Sequence, residues 1–524
     1  MAKKPPIFDS RLVGAAAAVA SMGSAELLAA AMRPHPGPVV AVSARVVAYA
    51  PTWFVDLGKT LFGFSDKVAL LIGTAILTVV IGSLLGKLGR ERMDWALVGI
   101  GVMQAIGFAS MVSDDNGTAG TSMFLTIAGT LAGVIVFVVL MGLITPIRKP
   151  ADGQGSEISP TNPPVGRRTF LAAAGVVTAS GAIMGVGGTQ LRDRGSANTT
   201  ATGASFPPSP DAKAVDSLVE EANGSVVGLT ESITPAVVPN DDYYRIDTAL
   251  FVPSINARDW SLTIDGLVDN PLTLSYDELV ERSTTIKPVT LSCVSNEVGG
   301  PLVGNAVWQG VPLQDLLEEV GVKPEATQVA SFADNWSCGF PTAALDDDRT
   351  ALVAVGMNGE PLPNQHGFPA RLVVSGLYGY VSATKWLRRI ELTTLEDFDG
   401  FWIDKGWAKI APVKTQARID VPFPSQEFDG SSPIDIAGVA WAPNIGVERV
   451  EIQVDSGPWI EAELGTSLGP DAWRQWRVKW EGEPGEHVVQ VRATRADGEV
   501  QTGDVAEPAP DGATGWHSRR FISF

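Results

Sequence analysis

The chain of 524 residues contains only two cysteines and four histidines. So few thiols exclude a disulfide-built scaffold. The histidines, His35, His366, His487 and His517, are scattered and leave little room for a metal site made from protein nitrogen alone. Charge is also sparse, at 19% of residues, and it lacks positive surplus: 39 Lys and Arg stand against 58 Asp and Glu, a net of −19. That balance excludes a nucleic-acid-binding protein, which needs a basic face. The mean hydropathy is nevertheless positive, +0.14, and a division near residue 190 explains why. Residues 1–190 carry 14 basic and 10 acidic side chains, a net of +4, whereas residues 191–524 carry the other 25 and 48, a net of −23. An apolar part precedes an acidic globular part.

What the first part does have is long windows without charge, each near the roughly 20 residues that a bilayer requires. They are Leu12–Met32, Val68–Gly86, Trp95–Ser113, one centred on Thr121–Thr145 within Asn116–Ile147, and Thr169–Gln190. Glu26 interrupts the first and makes it the weakest. Basic residues cluster in alternate loops: Lys3, Lys4 and Arg11, then Lys87, Arg90 and Arg92, then Arg148, Lys149, Arg167 and Arg168. Five spans with a cytoplasmic N-terminus satisfy this pattern and put everything after residue 190 outside the cytoplasm. The loop 33–67, with Arg33, Arg45, Lys59 and Lys67, runs against it. No histidine falls within a window, so a membrane haem held by two histidines is not expected.

The fifth window opens with Gly166-Arg167-Arg168-Thr169-Phe170-Leu171, which is similar to a twin-arginine export signal. That route carries proteins folded around a cofactor, so the motif predicts a cofactor domain downstream. Residues 191–240, rich in Ser, Thr, Ala, Gly and Pro, read as a flexible linker. Beyond them strands and helices alternate, with Ser275 and Glu278 spaced as a capping box, which indicates an α+β domain. From Pro433 short strands follow one another between glycine and proline turns, as in an immunoglobulin-like sandwich.

Cys293 is the residue with chemical promise. It closes the strand-like Val289-Thr-Leu-Ser and opens Val294-Ser-Asn296-Glu297-Val-Gly299-Gly300, a polar loop with two glycines. A soft thiolate suits a metal that accepts sulfur. With no second cysteine or histidine nearby in sequence, that metal would have to arrive on an organic cofactor.

The stretch from Tyr243 to Leu392 resembles the molybdopterin-binding domain of the sulfite oxidase family. The motifs that carry the resemblance are Thr290-Leu-Ser-Cys293-Val-Ser-Asn-Glu, Trp308-Gln-Gly-Val-Pro-Leu, His366-Gly-Phe-Pro-Ala-Arg371-Leu-Val-Val and Lys385-Trp386-Leu. The resemblance implies a molybdenum–molybdopterin cofactor, one per chain, with Cys293 as both the metal's thiolate ligand and the catalytic residue. It implies that His366 and Arg371 hold the pterin and its phosphate, with Lys385 adding charge. Ala383 and Thr384 would present backbone and hydroxyl groups to the cofactor, Arg245 and Ile246 would supply the early pterin contact, and Asp334 would be an acidic contact. Cys338 matches no ligand and reads as structural. The strands from Pro433 resemble the family's C-terminal dimerisation domain, which implies a homodimer.

Two departures bear on the substrate. Sulfite oxidases follow the cysteine with arginines, where this chain has Asn296-Glu297, and their active-site tyrosine falls at Phe398 in Asp397-Phe398-Asp399-Gly400-Phe401. An anionic substrate wants converging positive charge, so reduction of an S-oxide or N-oxide stands beside sulfite oxidation. The expected architecture is therefore multi-domain: an all-α transmembrane anchor over 1–190, a linker over 191–240, an α+β molybdopterin-binding domain over 241–400, a connecting segment over 401–432 and an all-β immunoglobulin-like domain over 433–524. The expected activity is oxygen-atom transfer on a small-molecule or peptide-borne oxo substrate outside a bacterial cell membrane, with electrons exchanged with a separate carrier, membrane subunit or quinone. The alternative is a non-enzymatic anchored binding protein that keeps a degenerate cofactor fold.

Overall fold

The computed structural model describes residues 7–32, 35–51, 58, 61, 66–114, 117–144, 167–197, 212–225, 233–249, 252–253, 255–334, 336–347, 349–428, 433–482 and 484–524. The chain forms two compact units, Met1–Asn198 with Leu250–Ser254, and Thr199–Ala249 with Ile255–Phe524.

The first unit is helical: α1 Ile7–Ala31, α2 Pro38–Tyr49, α3 Asp66–Gly89, α4 Met93–Val112, α5 Ala119–Ile144 and α6 Arg167–Ala197. Five stretches are long and apolar enough to cross a membrane: Asp9–Ala31, Lys67–Gly89, Met93–Val112, Ala119–Ile144 and Arg168–Gly185. Gly166 of the twin-arginine-like motif lies outside the described residues.

The helix with the weakest sequence signal is the most enclosed. Val13, Ala16, Ala17, Ala25 and Ala29 of α1 are buried, and glycines let backbones meet there. A Cβ on Gly14 would fall 2.0 Å from the Gly82 carbonyl oxygen, and one on Gly23 would fall 2.0 Å from that of Gly181. Such small-residue contacts let the backbones of apolar helices approach closely. Glu26, which made the first window weak, is buried, and its Oε1 accepts the Val39 N–H at 2.8 Å. It thus caps α2, one of whose first amides would otherwise lack a partner. Gly37 is required at that contact, since a Cβ there would sit 2.0 Å from Glu26 Oε2. His35 is buried too, with Nδ1 2.8 Å from the Pro36 carbonyl oxygen and Nε2 2.9 Å from Ser122 Oγ. A carbonyl only accepts, so Nδ1 donates to it, and Nε2 shares a second hydrogen bond with the Ser122 hydroxyl.

The second unit begins with helix α7, Ala212–Ser225. Of the segment expected as a linker, this part is helical, and residues 198–211 and 226–232 lie outside the described residues. Residues 233–240 are tied in: the Thr234 N–H donates to Asp420 Oδ2 at 2.9 Å and the Val238 N–H to the Asn305 carbonyl at 2.9 Å.

Two antiparallel-rich sheets then frame the α+β part. One has the order β2-β1-β10-β5-β6, from β1 Ser261–Gly266, β2 Leu272–Ser275, β5 Gln328–Ala333, β6 Trp336–Pro341 and β10 Arg389–Thr393, with β1 and β10 parallel. The other has the order β3-β4-β7-β8, from β3 Thr285–Ser292, β4 Val303–Pro312, β7 Ala351–Met357 and β8 Glu360–Pro361, with β9 Arg371–Val374 also on β7. Helix α8, Tyr276–Arg282, starts with the expected capping box, Ser275 bonding reciprocally with Glu278. Helices α9, Leu313–Val320, and α10, Gly379–Ser382, complete this part. Every residue of β7 and β9 is buried, so the strand that carries Arg371, although paired only with β7, is covered on both faces.

The rest of the unit is β-rich: β11 Gln416–Val421, β12 Gln426–Phe428, β13 Ile434–Trp441, β14 Val447–Val454, β15 Trp459–Glu461, β16 Glu463–Leu464, β17 Arg474–Trp480, β18 Gly485–Arg495 and β19 His517–Ser523. They form sheets of order β11-β13-β17-β16 and β12-β19-β18-β14-β15. Ile419, Ile436 and Trp476 from one sheet share a core with Val450, Val491 and Phe521 from the other. The first of these strands lies in 401–432, the segment expected only to connect, because alternate residues of Gln416–Val421 join this core.

Candidate active site

Cys293 sits one residue beyond β3, half-buried. Its N–H donates to the Leu302 carbonyl at 2.9 Å, just before the paired β4 begins, so residues 293–302 form a closed loop at a strand end. Asn296 braces the loop from inside. Its N–H bonds the Cys293 carbonyl at 3.0 Å, and its Oδ1 accepts the Leu302 N–H at 2.8 Å. Asn296 Nδ2 is buried with no hydrogen-bond partner.

A cluster of cationic side chains accompanies this loop. Arg371 starts β9, in register with Ala354, and its guanidinium lies 4.8 Å from the Trp308 ring centroid. It donates from Nη1 to the His366 carbonyl at 3.1 Å, while its Nε is buried and unpartnered. Among the described residues no carboxylate lies within salt-bridge distance of it, and burial pulls its pKa down. His366 closes a short 3-10 turn, Asn364–His366, capped by Gly367, whose φ of +115 favours glycine. His366 Nε2 lies 2.7 Å from the Asn240 carbonyl and so donates to it, which leaves Nδ1 as the acceptor. Burial first, and then the Arg371, Lys385 and Arg245 charges, lower the imidazole to about 4, so it is neutral near pH 7. Lys385 Nζ and Arg245 Nε both bond Asp247 Oδ2, at 2.9 and 3.1 Å. Burial nonetheless brings Lys385 down to about 8, against the pull of Asp247.

The other expected positions are more spread. Arg245 and Ile246 are exposed on the segment before Asp247. Asp334 pairs with Arg388 at 2.6 Å. Ala383 ends α10. The Thr384 hydroxyl lies 2.8 Å from Ser331 Oγ and 3.1 Å from Cys338 Sγ, so it faces a buried polar cluster of the protein itself. Burial raises the Cys338 thiol, which keeps it inert and structural. Phe398 packs on Phe332, ring centroids 5.2 Å apart.

Sequence reasoning passed over Tyr243, Tyr244, Asp247 and Tyr378. The ring of Tyr243 meets the edges of Trp308 and His366 and stacks on Tyr244. Burial raises the Tyr244 phenol well above its usual range, and it feels both Cys293 and Arg371. It therefore joins the two halves of the site. Tyr378, pushed up to about 12 mainly by burial, also feels Cys293. The Tyr-Tyr pair before Arg245 was the available signal, since adjacent aromatics at the end of a polar stretch need a wall to pack against.

Among the described residues no three His, Cys, Asp or Glu side chains come together as a metal site. A half-buried cysteine, linked through Tyr244 to a buried guanidinium without a carboxylate, and a second buried ammonium instead fit a metal carried on an anionic organic group. The orphaned Nε of Arg371, on a guanidinium with no carboxylate partner, supports that fit.

Comparison with known proteins agrees. Residues 249–402 match the oxidoreductase molybdopterin-binding domain family. The chain is 40% identical over 151 residues to YuiH of Bacillus subtilis, described as an uncharacterized oxidoreductase, covering 28% of this chain and 72% of that protein. It is 30% identical over 291 residues to mitochondrial sulfite oxidase of Drosophila melanogaster, covering 46% and 50% of the two chains. NADH nitrate reductase of Solanum lycopersicum matches at 32% over 173 residues, covering 28% and 19%. Among solved structures, the sulfane dehydrogenase SoxCD from Paracoccus pantotrophus aligns with a TM-score of 0.47 at 24% identity, covering 54% of this chain and 80% of that one. The chain spans about half the length of the mitochondrial sulfite oxidases that it matches.

Proposed function

The chain belongs to the sulfite oxidase-like molybdopterin oxidoreductases, and on that premise we propose that it is a membrane-anchored enzyme that transfers an oxygen atom outside the cytoplasm. The cofactor, when bound, supplies the redox chemistry. The protein's share is to hold it: Cys293 as thiolate ligand, Arg371 and Lys385 on the phosphate, and neutral His366 accepting through Nδ1. Arg245, Ile246, Asp334, Ala383 and Thr384 flank the cradle. The observation that carries this reading is the buried Arg371 guanidinium without a carboxylate, since an uncompensated buried cation is costly unless an anion joins it.

The substrate is proposed to be an uncharged S-oxide or N-oxide, small or peptide-borne. Glu297 adds negative charge to the Cys293 loop, and the Phe398 ring packs on Phe332 with no hydroxyl to offer. Reducing such a substrate takes two electrons and two protons and releases water. The electrons would come singly from a separate carrier, membrane subunit or quinone. The five apolar helices and their basic loops support the anchor and its orientation, and the C-terminal sheets support an immunoglobulin-like dimerisation role.

The test is a substrate panel on full-length, metal-loaded protein, with metal analysis. We expect about one molybdenum per chain and turnover of S-oxides or N-oxides above that of sulfite. Preference for sulfite would reverse the substrate assignment. Protein matured in molybdate-replete cells yet free of molybdenum would overturn the whole reading.

A further inference from the structure

The Cys293 loop is held from outside as well as from inside. Arg418, on β11, is buried, and its guanidinium reaches three segments of the chain. Nη1 donates to the Gly300 carbonyl at 3.1 Å, Nη2 to Thr234 Oγ1 at 2.6 Å, and Nε to Asp420 Oδ1 at 2.7 Å. Asp420 returns the connection by accepting the Thr234 N–H through Oδ2 at 2.9 Å. The next residue on β11, Ile419, donates its N–H to His517 Nδ1 at 2.9 Å. That imidazole packs closely against the loop, for a Cβ on Gly299 would fall 2.1 Å from His517 Cδ2. Gly299 has a φ of +77 as well, so both conformation and space demand glycine there.

The two ends of the loop thus have different owners. Near Cys293 it is closed by Asn296 and the strand pair. At Gly299-Gly300 it is clamped by Arg418 and His517, which belong to the β-rich region. We infer that Arg418, with His517 packed behind it, is a positioning residue that sets the direction of the Cys293 thiolate, which makes the β-rich region part of the active site rather than only a dimerisation module. The inference rests on Cys293 being the metal's ligand. The argument is geometric. An eight-residue turn with two glycines would otherwise sample several arrangements, whereas a fork that fixes one carbonyl from a rigid strand leaves one. Outer partners of this kind tune a metal ligand without touching the metal.

The test uses full-length holoprotein carrying Arg418→Gln or, separately, Cys293→Ser. The readouts are molybdenum content, the visible sulfur-to-metal absorption band, and the EPR g-values of the one-electron-reduced protein. Arg418→Gln is expected to keep its molybdenum and to shift both the band and the g-values, with thermal stability reduced only modestly. A loss of stability with unchanged spectra would mean that Arg418 is a purely structural tie and would overturn the inference. Should Arg418→Gln fail to load, Thr234→Val removes one acceptor of the fork and decides the matter. A smaller shift in the same spectra supports the inference, and identity with the wild type overturns it. Cys293→Ser keeps the failures apart. If its spectra match the wild type, Cys293 is not the ligand and the site assignment falls. If they differ while both fork variants are silent, only the positioning role falls.

Discussion

Glu26 in the helical unit and Arg371 in the cofactor domain are both buried ionisable groups, and the two regions handle them in opposite ways. The carboxylate of Glu26 is met by a backbone amide at the start of a helix, so the protein satisfies it with its own dipoles. The guanidinium of Arg371 receives a carbonyl and an aromatic face but no anion, and keeps a buried N–H idle. A group satisfied from within is architecture. A group left in surplus marks where something from outside is expected. The same desolvation cost, read against who answers it, separates the two.

The sharpest break of this contrast is at the thiolate. Cys293→Ser should lower turnover more than ~100-fold, beyond the 10–100-fold typical of losing an outer partner of a metal ligand, as measured by substrate kinetics per molybdenum. Acid should produce the next largest effect. His366 is held neutral, at about 4 against 6.5 in an unfolded chain, so the unfolded state takes up more protons between those values. Stability is therefore full above pH 6.5 and falls as pH drops toward 4, by up to about 3 kcal/mol for this group. His517, also lowered to about 4 mainly by burial, adds in the same direction. Denaturant titrations of cofactor-free protein at pH 7 and pH 4.5 check the slope, and His366→Gln should flatten it.

Arg371→Met then tests the surplus directly. Loss of a charge-assisted contact should weaken cofactor retention roughly 10–100-fold, followed as molybdenum lost on dialysis. The cofactor-free variant should be no less stable than the wild type, because a lone buried cation has been removed. Glu26→Ala should show the opposite sense: no change in molybdenum, but about 1 kcal/mol lost from the helical unit through the missing cap, read by thermal unfolding in detergent. If Arg371→Met destabilised the empty protein as Glu26→Ala does, the distinction between the two regions would collapse.

Much of this arrangement was legible in the sequence, and what was missed shares one cause. Arg371–Val374 and Ile434–Trp441 form the strands that their apolar runs indicate, since burial on both faces leaves a local imprint. Ser275 and Glu278 announced their helix by spacing alone. Glu26, by contrast, weakened a true helix, because hydropathy counts a carboxylate without seeing the amide 13 residues on that receives it. The helix Ala212–Ser225 was hidden by composition, although Val215, Leu218 and Ala222 recur at helical spacing. Besides local contacts, Tyr244 and Asp247 meet groups more than forty residues away, Cys293 and Lys385. No local pattern records such partnerships.

The glycine contacts of α1 have a consequence for how the chain is made. Gly14 closes on Gly82 and Gly86, and Gly23 on Gly181, so α1, which precedes its partner helices in the sequence, has its surroundings completed only by α6. Until the arginine-led helix arrives, the groove around Gly23 has no occupant. The late helix is therefore a keystone as well as the bearer of an export-like motif. A chain truncated before residue 167 would expose the backbone of its own central helix to whatever surrounds it.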